Sequence, residues 1–216
     1  MARDLDPTAP VIVEMAGARM GKRATARARS SHFQYGAGSL CLDFAGTLEV
    51  RGDQVVELLS SIDRLEEWLQ GPELPLPIGG LTDEDLTAAH LLRDGIDRVA
   101  RAVVAKNDVS AEDVRCINSF AARPTPVFLL ESGARSRMAI GESGIDAVLS
   151  VIARDAVHLL TSADSDRLRE CARDGCSTLF FDRSPSGVRR WCSMKGCGEM
   201  VASASYRKRR TREAVQ

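Results

Sequence analysis

Four of the six cysteines stand close together near the C-terminus, as the pairs Cys171/Cys176 and Cys192/Cys197. Each pair encloses four residues, and 15 residues separate the pairs. A structural zinc ion takes four thiolates in a tetrahedron, and two short turns can each present two sulfurs to it. So small a module has little core of its own, and metal binding would supply much of its folding free energy. The spacing therefore predicts one structural Zn²⁺ held by these four cysteines.

Two disulfides or an iron–sulfur cluster are the alternatives to zinc. The first 20 residues lack a basic start followed by a long apolar segment and a small-residue cleavage site, and no apolar run is long enough to cross a membrane. We therefore expect a cytoplasmic protein, in which thiols stay reduced. Iron–sulfur clusters usually show other cysteine spacings. Four cysteines leave no open position for water, which favours a structural zinc over a catalytic one. Cys41 and Cys116 lie in apolar segments and are predicted to be core residues.

Charge divides the chain into three parts. Residues 35–166 carry 11 Lys/Arg against 22 Asp/Glu, whereas residues 167–216 carry 12 against 5, and residues 1–34 carry 6 against 3. This asymmetry indicates a polyanionic partner for the basic C-terminal part, although a basic tail could instead dock on the acidic body. Residues 1–31 are predicted to be a disordered basic tail.

Capping signals mark two helix starts in the acidic part. Thr82 with Asp85, and Ser110 with Asp113, match the capping box, and apolar residues flank both pairs as hydrophobic staples. Residues 144–162 show the broadest apolar face at helical spacing. Residues 55–70 are also predicted to form a helix, because Leu58, Ile62, Leu65 and Leu69 recur at spacings of four, three and four.

Extended structure is predicted at fewer places. Residues 40–44 alternate apolar and polar side chains, which predicts a short strand or extended segment, and residues 126–140 read as two strands around a Ser-Gly turn. The expected fold is mainly α with a short β-hairpin (α+β). We place a mainly helical domain at residues 32–163 and a zinc module at residues 164–216, joined at a polar hinge near residues 161–166.

The zinc module is predicted to contain a hairpin and a helix, in a treble-clef-like or ribbon-like arrangement. The segments 177–182 and 188–192 are its candidate strands, and the chain after Cys197 its helix. Cations cluster there beyond what the helix dipole requires, and they would spread around the helix, a pattern that suits backbone phosphates. The candidate nucleic-acid-binding residues are Arg189, Arg190, Lys195, Arg207, Lys208, Arg209, Arg210 and Arg212.

At these residues the sequence resembles the CGNR-type zinc finger. That family's pattern is a first cysteine pair, then an aromatic-Asp element, then a stretch like residues 189–194. Its fourth cysteine opens the sequence Cys-Gly-Asn-Arg. Residues 39–49 are similar to the opening of the helical domain called ABATE, which precedes the finger in this family. The matching positions are Asp43, Phe44, Thr47, Phe181, Asp182, Arg190, Trp191, Cys192, Ser193, Met194, Cys197, Gly198, Tyr206 and Arg207.

The resemblance implies a stress-induced or otherwise signal-responsive bacterial transcription regulator. Its zinc module would contact DNA, and its helical domain would act as a sensor or oligomerisation platform for an unidentified small-molecule effector or a homodimer. Glu199-Met200 replace the family's Asn-Arg, which removes a cation and adds an anion. A zinc module that binds a protein partner is therefore the alternative. The chain carries no His-Glu-x-x-His, phosphate-binding loop or nucleophile elbow, so we expect no enzyme and no catalytic residue.

Overall fold

The computed structural model describes residues 33–51, 54–71, 80–130, 137–140 and 144–213. The predicted tail at residues 1–31 lies outside these ranges. The elements in chain order are α1 (Leu40–Ala45), β1 (Leu48–Arg51), β2 (Gln54–Glu57), α2 (Ile62–Leu69), α3 (Asp83–Ala105), α4 (Ala111–Ala121), β3 (Val127–Leu130), β4 (Arg137–Ile140), α5 (Ile145–Thr161), a 3₁₀ turn (Ser165–Arg167), β5 (Leu168–Glu170), β6 (Leu179–Phe181), a π-helical turn (Met194–Gly198) and α6 (Glu199–Glu213).

The described residues confirm the predicted fold class, which is mainly helical with short antiparallel strand pairs. We call residues 33–161 the helical body and residues 165–213 the cysteine module. Helix α3 packs against α1, α4 and α5, and it also contacts β5 of the cysteine module. No described helix is both long and apolar enough to cross a lipid bilayer.

The predicted helix starts of α3 and α4 are confirmed, with one difference at α4. The Thr82 hydroxyl accepts the Asp85 N–H at 3.3 Å and the Asp85 carboxylate accepts the Thr82 N–H at 2.8 Å, which closes a capping box. The Ser110 hydroxyl likewise accepts two N–H groups at the start of α4. Asp113 does not return the bond, because its carboxylate pairs with Arg98 at 2.6 Å.

The prediction of an extended segment at residues 40–44 was wrong, since these residues begin α1. All five residues from Cys41 to Ala45 are buried, so the alternation of residue types did not mark one buried face. The helix start is held from a distance, because the Asp155 carboxylate on α5 accepts bonds from the Ser39 hydroxyl at 2.5 Å and the Cys41 N–H at 2.8 Å.

The predicted helix at residues 55–70 is two elements, and the body therefore contains a second hairpin. Strand β2 pairs antiparallel with β1, and α2 begins only after Ser61, whose hydroxyl accepts the Arg64 N–H at 3.3 Å. The β-branched Val55-Val56 pair suits the strand. The two strands predicted within residues 126–140 are confirmed as β3 paired with β4, and the Ser-Gly turn predicted between them lies outside the described residues.

One hydrophobic core runs through the helical body and into the cysteine module. It contains Phe44 of α1, Trp68 of α2 and Ile152 of α5, and also Leu168 of β5 and Leu179 of β6. The two strands that frame the first cysteine pair are thus built on the same core as the helices.

Candidate metal centre

The first cysteine pair lies in the connection between β5 and β6. Strand β6 pairs with β5 and not with residues 188–192, so the strand predicted for those residues was wrong. Cys171 directly follows β5, and its N–H donates to the Thr178 carbonyl at 3.0 Å, which closes the turn that carries Cys176. A single short hairpin therefore presents both sulfurs.

The second pair lies where the chain enters α6. Cys192 lies in a loop. Two residues before it, the Arg190 carbonyl accepts the Ala172 N–H at 2.8 Å, which ties this loop to the first cysteine pair. Cys197 lies in the π-helical turn, and the Ser193 hydroxyl caps that turn by accepting the Gly196 N–H at 3.1 Å. The predicted helix after Cys197 is confirmed as α6.

The four sulfur atoms lie within 4.8 Å of one another. The Sγ of Cys176 is 3.9 Å from that of Cys192 and 3.7 Å from that of Cys197, and the last two sulfurs are 3.5 Å apart. Four thiolates about 2.3 Å from one zinc ion would be separated by about 3.8 Å in a tetrahedron. All six cysteines are free thiols. The donor set and its spacing fit one structural zinc ion.

Hydrogen bonds to the sulfurs also favour thiolates, the form in which cysteine binds zinc. Arg173 Nε–H donates to Cys197 Sγ at 3.0 Å, and the Thr178 hydroxyl lies 3.3 Å from Cys176 Sγ. Hydrogen bonding from Cys192 lowers the pKa of the Cys176 thiol to about 3, whereas the same contact raises the pKa of Cys192. Neighbouring thiols oppose one another's ionisation, and a divalent cation among them would stabilise the thiolates.

The loop between β6 and Cys192 is fixed by a buried carboxylate. Asp182 is fully buried, and it accepts the N–H groups of Ser184 at 2.9 Å and Arg189 at 2.8 Å. Hydrogen bonding from Ser184, joined by the Arg189 N–H and the charge of Arg167, lowers the pKa of Asp182 to about 2. The carboxylate therefore stays ionised and holds both ends of the loop.

Arg189, a predicted nucleic-acid contact, is turned toward the module itself. Its guanidinium donates to the carbonyls of Trp191 and Cys192 and lies 4.8 Å from the centre of the Phe180 ring. A phosphate contact would compete with these bonds. The sequence carried no signal for this difference between Arg189 and its neighbour Arg190, which is exposed.

The other candidate cations lie on open surface. Arg190 and Lys195 are exposed, and every residue of α6 from Ala202 to Thr211 is exposed as well. None of the ion pairs among the described residues involves Arg207, Lys208, Arg209 or Arg210. Arg212 belongs to α6, but its side chain lies outside the described part of the chain.

A cleft of about 850 Å³ lies between residues 33–49 of the helical body and the part of the cysteine module around Cys192. Tyr35 and Leu42 line it from the body, and Cys192, Ser193 and Lys195 line it from the module. No sequence pattern predicted this cleft, because its walls come from segments about 150 residues apart. A molecule bound there would contact both parts, next to the start of α6.

Comparison with known families fits this arrangement. The model of the family ABATE, described as "Putative stress-induced transcription regulator", matches residues 38–163. The chain belongs to the ABATE family. A second model, the CGNR zinc finger, matches residues 167–210 and so includes all four clustered cysteines. No curated protein matches the chain.

The ABATE match and the CGNR match confirm the resemblance and the zinc prediction together. The ABATE description is that of a regulator and not of an enzyme. Within the ABATE region, the matching residues Asp43 and Phe44 have structural roles: Asp43 accepts the N–H groups of Gly36 at 2.9 Å and Ala37 at 2.7 Å, and Phe44 is buried against Trp68. Asp43 thereby fixes residues 36 and 37, and the Ala37 carbonyl accepts the Phe181 N–H of the cysteine module.

Proposed function

We propose that this ABATE-family protein is a cytoplasmic bacterial transcription regulator that binds DNA through its zinc-loaded cysteine module. Cys171, Cys176, Cys192 and Cys197 are the ligands of the ion. One observation carries the proposal: α6 is a helix whose described surface is uncovered from Ala202 onward and whose last turns carry four cations free of ion pairs among the described residues. Zinc would hold the start of this helix against the hairpin.

The distribution of cations favours the phosphate backbone over base edges as the main contact. Arg207, Lys208, Arg209 and Arg210 are consecutive, so they point in all directions around α6. Such a helix can meet phosphates on both sides of a groove, but it offers no single face of base-reading side chains. Arg190 and Lys195 are also exposed, and they would add two cations from the cysteine module itself.

A salt titration of duplex DNA binding tests the proposal. Each cation that neutralises a phosphate contributes about 0.9 to the slope of log K against log salt concentration. Replacing residues 207–210 with Ala should weaken binding and make the slope shallower by up to about 3.6. The double variant Lys106→Ala/Arg115→Ala is the matched control, because both side chains are exposed on the helical body.

Absence of binding by the zinc-loaded protein at low salt would contradict the DNA proposal. It would favour the alternative, in which the module binds a protein partner. Two exposed apolar side chains support that alternative, since Val188 in the loop before Cys192 is 72% exposed and Met194, between Cys192 and Cys197, is 59% exposed. Pull-down of a partner that depends on zinc and on Met194 would then be the next measurement.

Regulation by a small-molecule effector or by homodimer formation is part of the same proposal. The cleft between the helical body and the cysteine module supports an effector there, because its lining includes Ser193 and Lys195, just before α6. A ligand that closes the cleft would change the direction in which α6 leaves the module. Gln34 is an exposed residue in the lining, and Gln34→Trp would partly fill the cleft. A change in DNA affinity in this variant would show that the cleft and DNA binding are connected.

A further inference from the structure

Arg101 joins the helical body to the cysteine module. It lies in the last turns of α3, and its Nε–H donates to the Asp97 carboxylate one turn earlier at 2.8 Å. This bond orients the guanidinium away from the helix axis and leaves its two terminal nitrogens for other partners. The side chain is only one-third exposed.

The two terminal nitrogens bind on either side of the first cysteine pair. Arg101 Nη1 lies 3.1 Å from the Glu170 carboxylate, and Nη2–H donates to the Ser177 carbonyl at 2.9 Å. Glu170 directly precedes Cys171, and Ser177 directly follows Cys176. One guanidinium from the helical body thus bridges the two ends of the segment that presents two of the four sulfurs.

Further contacts hold the same hairpin on the body. The Phe181 N–H donates to the Ala37 carbonyl at 2.6 Å. Gly38 lies beneath this bond with φ +96°, and a Cβ there would come within 2.8 Å of the Phe181 carbonyl oxygen. Because Leu168 and Leu179 are also part of the common core, the hairpin has a fixed position on the body at both of its ends.

We propose that Arg101 is a positioning residue of the zinc centre, and that the helical body thereby sets part of the zinc affinity of the cysteine module. The proposal rests on the four cysteines being the zinc ligands. A planar guanidinium can bind a carboxylate and a carbonyl at once in fixed geometry, whereas a lysine ammonium is a single point charge. By holding Glu170 and Ser177, Arg101 reduces the number of conformations in which the sulfurs of Cys171 and Cys176 point apart.

The test measures zinc affinity in the full chain by competition with a chromogenic chelator. Arg101→Gln removes the charge and the two-sided contact, and we expect zinc to bind about tenfold more weakly, at the lower end of the effect of losing a partner outside the ligand sphere. Arg101→Lys should give an intermediate loss. Arg98→Gln is the matched control, because Arg98 lies on the same helix and pairs with Asp113 inside the body.

Two further measurements separate positioning from general destabilisation. Cobalt(II) substitution should give a four-thiolate absorption spectrum in both Arg101→Gln and the parent protein, since no ligand is lost. Glu170→Gln removes one end of the bridge, and in the double-mutant cycle with Arg101→Gln the two losses of zinc affinity should not add. Glu170→Gln also keeps the test available if Arg101→Gln does not fold.

Parent-like zinc affinity in folded Arg101→Gln, additive losses in the cycle, or an equal loss in Arg98→Gln would each overturn the proposal. Failure of the zinc assignment itself would look different, because the parent protein would then bind no stoichiometric zinc. Failure of the DNA proposal is also distinguishable, since zinc affinity is measured without DNA.

Discussion

At the scale of single residues, the four clustered cysteines should be needed for zinc binding, whereas the other cysteines should not. Cys192→Ser should abolish stoichiometric zinc binding, because a hydroxyl replaces one of four sulfurs that lie within 4.8 Å of one another. Cys116→Ser is the control: this thiol lies on α4, where it donates only a long bond to the Leu91 carbonyl at 3.8 Å. Metal analysis of purified protein should find about one zinc per chain in the parent and control.

A metal content that stays unchanged in Cys192→Ser would refute the four-sulfur site. An equal loss in Cys116→Ser would point instead to unfolding as the cause. Titration of free thiols before and after chelation completes the measurement, because four thiols should become reactive only when zinc leaves.

Asp182 gives a second test at this scale. Its pKa is lowered to about 2, so its contribution to stability is present above the ordinary carboxyl pKa of about 3.9 and is lost as the pH falls toward 2. Asp182→Asn should lower the melting temperature at pH 7, because the amide has one acceptor oxygen where the N–H groups of Ser184 and Arg189 need two, and its NH2 group would face the other N–H. The difference from the parent protein should stay constant down to about pH 4 and shrink below it. Thermal unfolding across this range measures the gap, and a gap that widens in acid would contradict the assignment.

At the scale of elements, the start of α3 depends on its capping box. Thr82→Ala removes the hydroxyl that accepts the Asp85 N–H, and it should lower the free energy of unfolding by about 1 kcal/mol. Thr87→Ala is the control on the same helix. Its hydroxyl only donates to the Asp83 carbonyl within the helix, so the change should be neutral or slightly stabilising. Urea unfolding followed by circular dichroism compares the two, and equal effects would show that the cap contributes nothing special.

Helix α6 is the element whose stability should be independent of the core. Ala204→Pro removes a hydrogen bond and introduces a clash in the helix interior, at a local cost of about 3 kcal/mol. Because residues 202–211 are exposed, the melting temperature and zinc content should not change, while helical signal and DNA affinity should fall. Ala204→Ser is the matched control. A lower melting temperature in Ala204→Pro would show that α6 is packed against the body.

Elements whose cause lies in neighbouring residues could be predicted from the sequence, and elements whose cause lies far along the chain could not. The starts of α3 and α4 are fixed by residues three positions apart, so the capping pattern was sufficient. Helix α1 is short, buried on all sides and capped by Asp155 from α5, and none of these causes is visible within six residues. The partner of β6 was missed for a related reason. Residues 188–192 resemble a strand, but the carboxylate of Asp182 and the zinc-site geometry determine their path.

At the scale of the whole molecule, the metal ligands could be predicted from the sequence, but the residues that hold these ligands in place could not. Four cysteines at regular spacing predict one ion, and the contrast between the acidic residues 35–166 and the basic residues 167–216 predicts where a polyanion would bind. Arg101 looks like any other cation of an amphipathic helix, and only the fold brings it to Glu170 and Ser177. The support that we propose for the zinc centre therefore depends on residues that only the folded chain brings together.

The shared core leads to a prediction for the entire molecule. Leu179 belongs to β6 of the cysteine module, yet its side chain is buried in the cluster that holds the residues of α1, α3 and α5. Leu179→Ala should lower the free energy of unfolding of the whole chain by about 2–5 kcal/mol, through lost burial and the cavity left behind. Val188→Ala, in the same module but 72% exposed, is the control and should change it by less than about 0.5 kcal/mol. Urea unfolding monitored by the helical signal, most of which comes from the body, should show one transition shifted to lower urea in Leu179→Ala. If the body of Leu179→Ala unfolds at the same urea concentration as in the parent protein, the module is a separate folding unit. The shared core would then not connect the helices to the zinc centre.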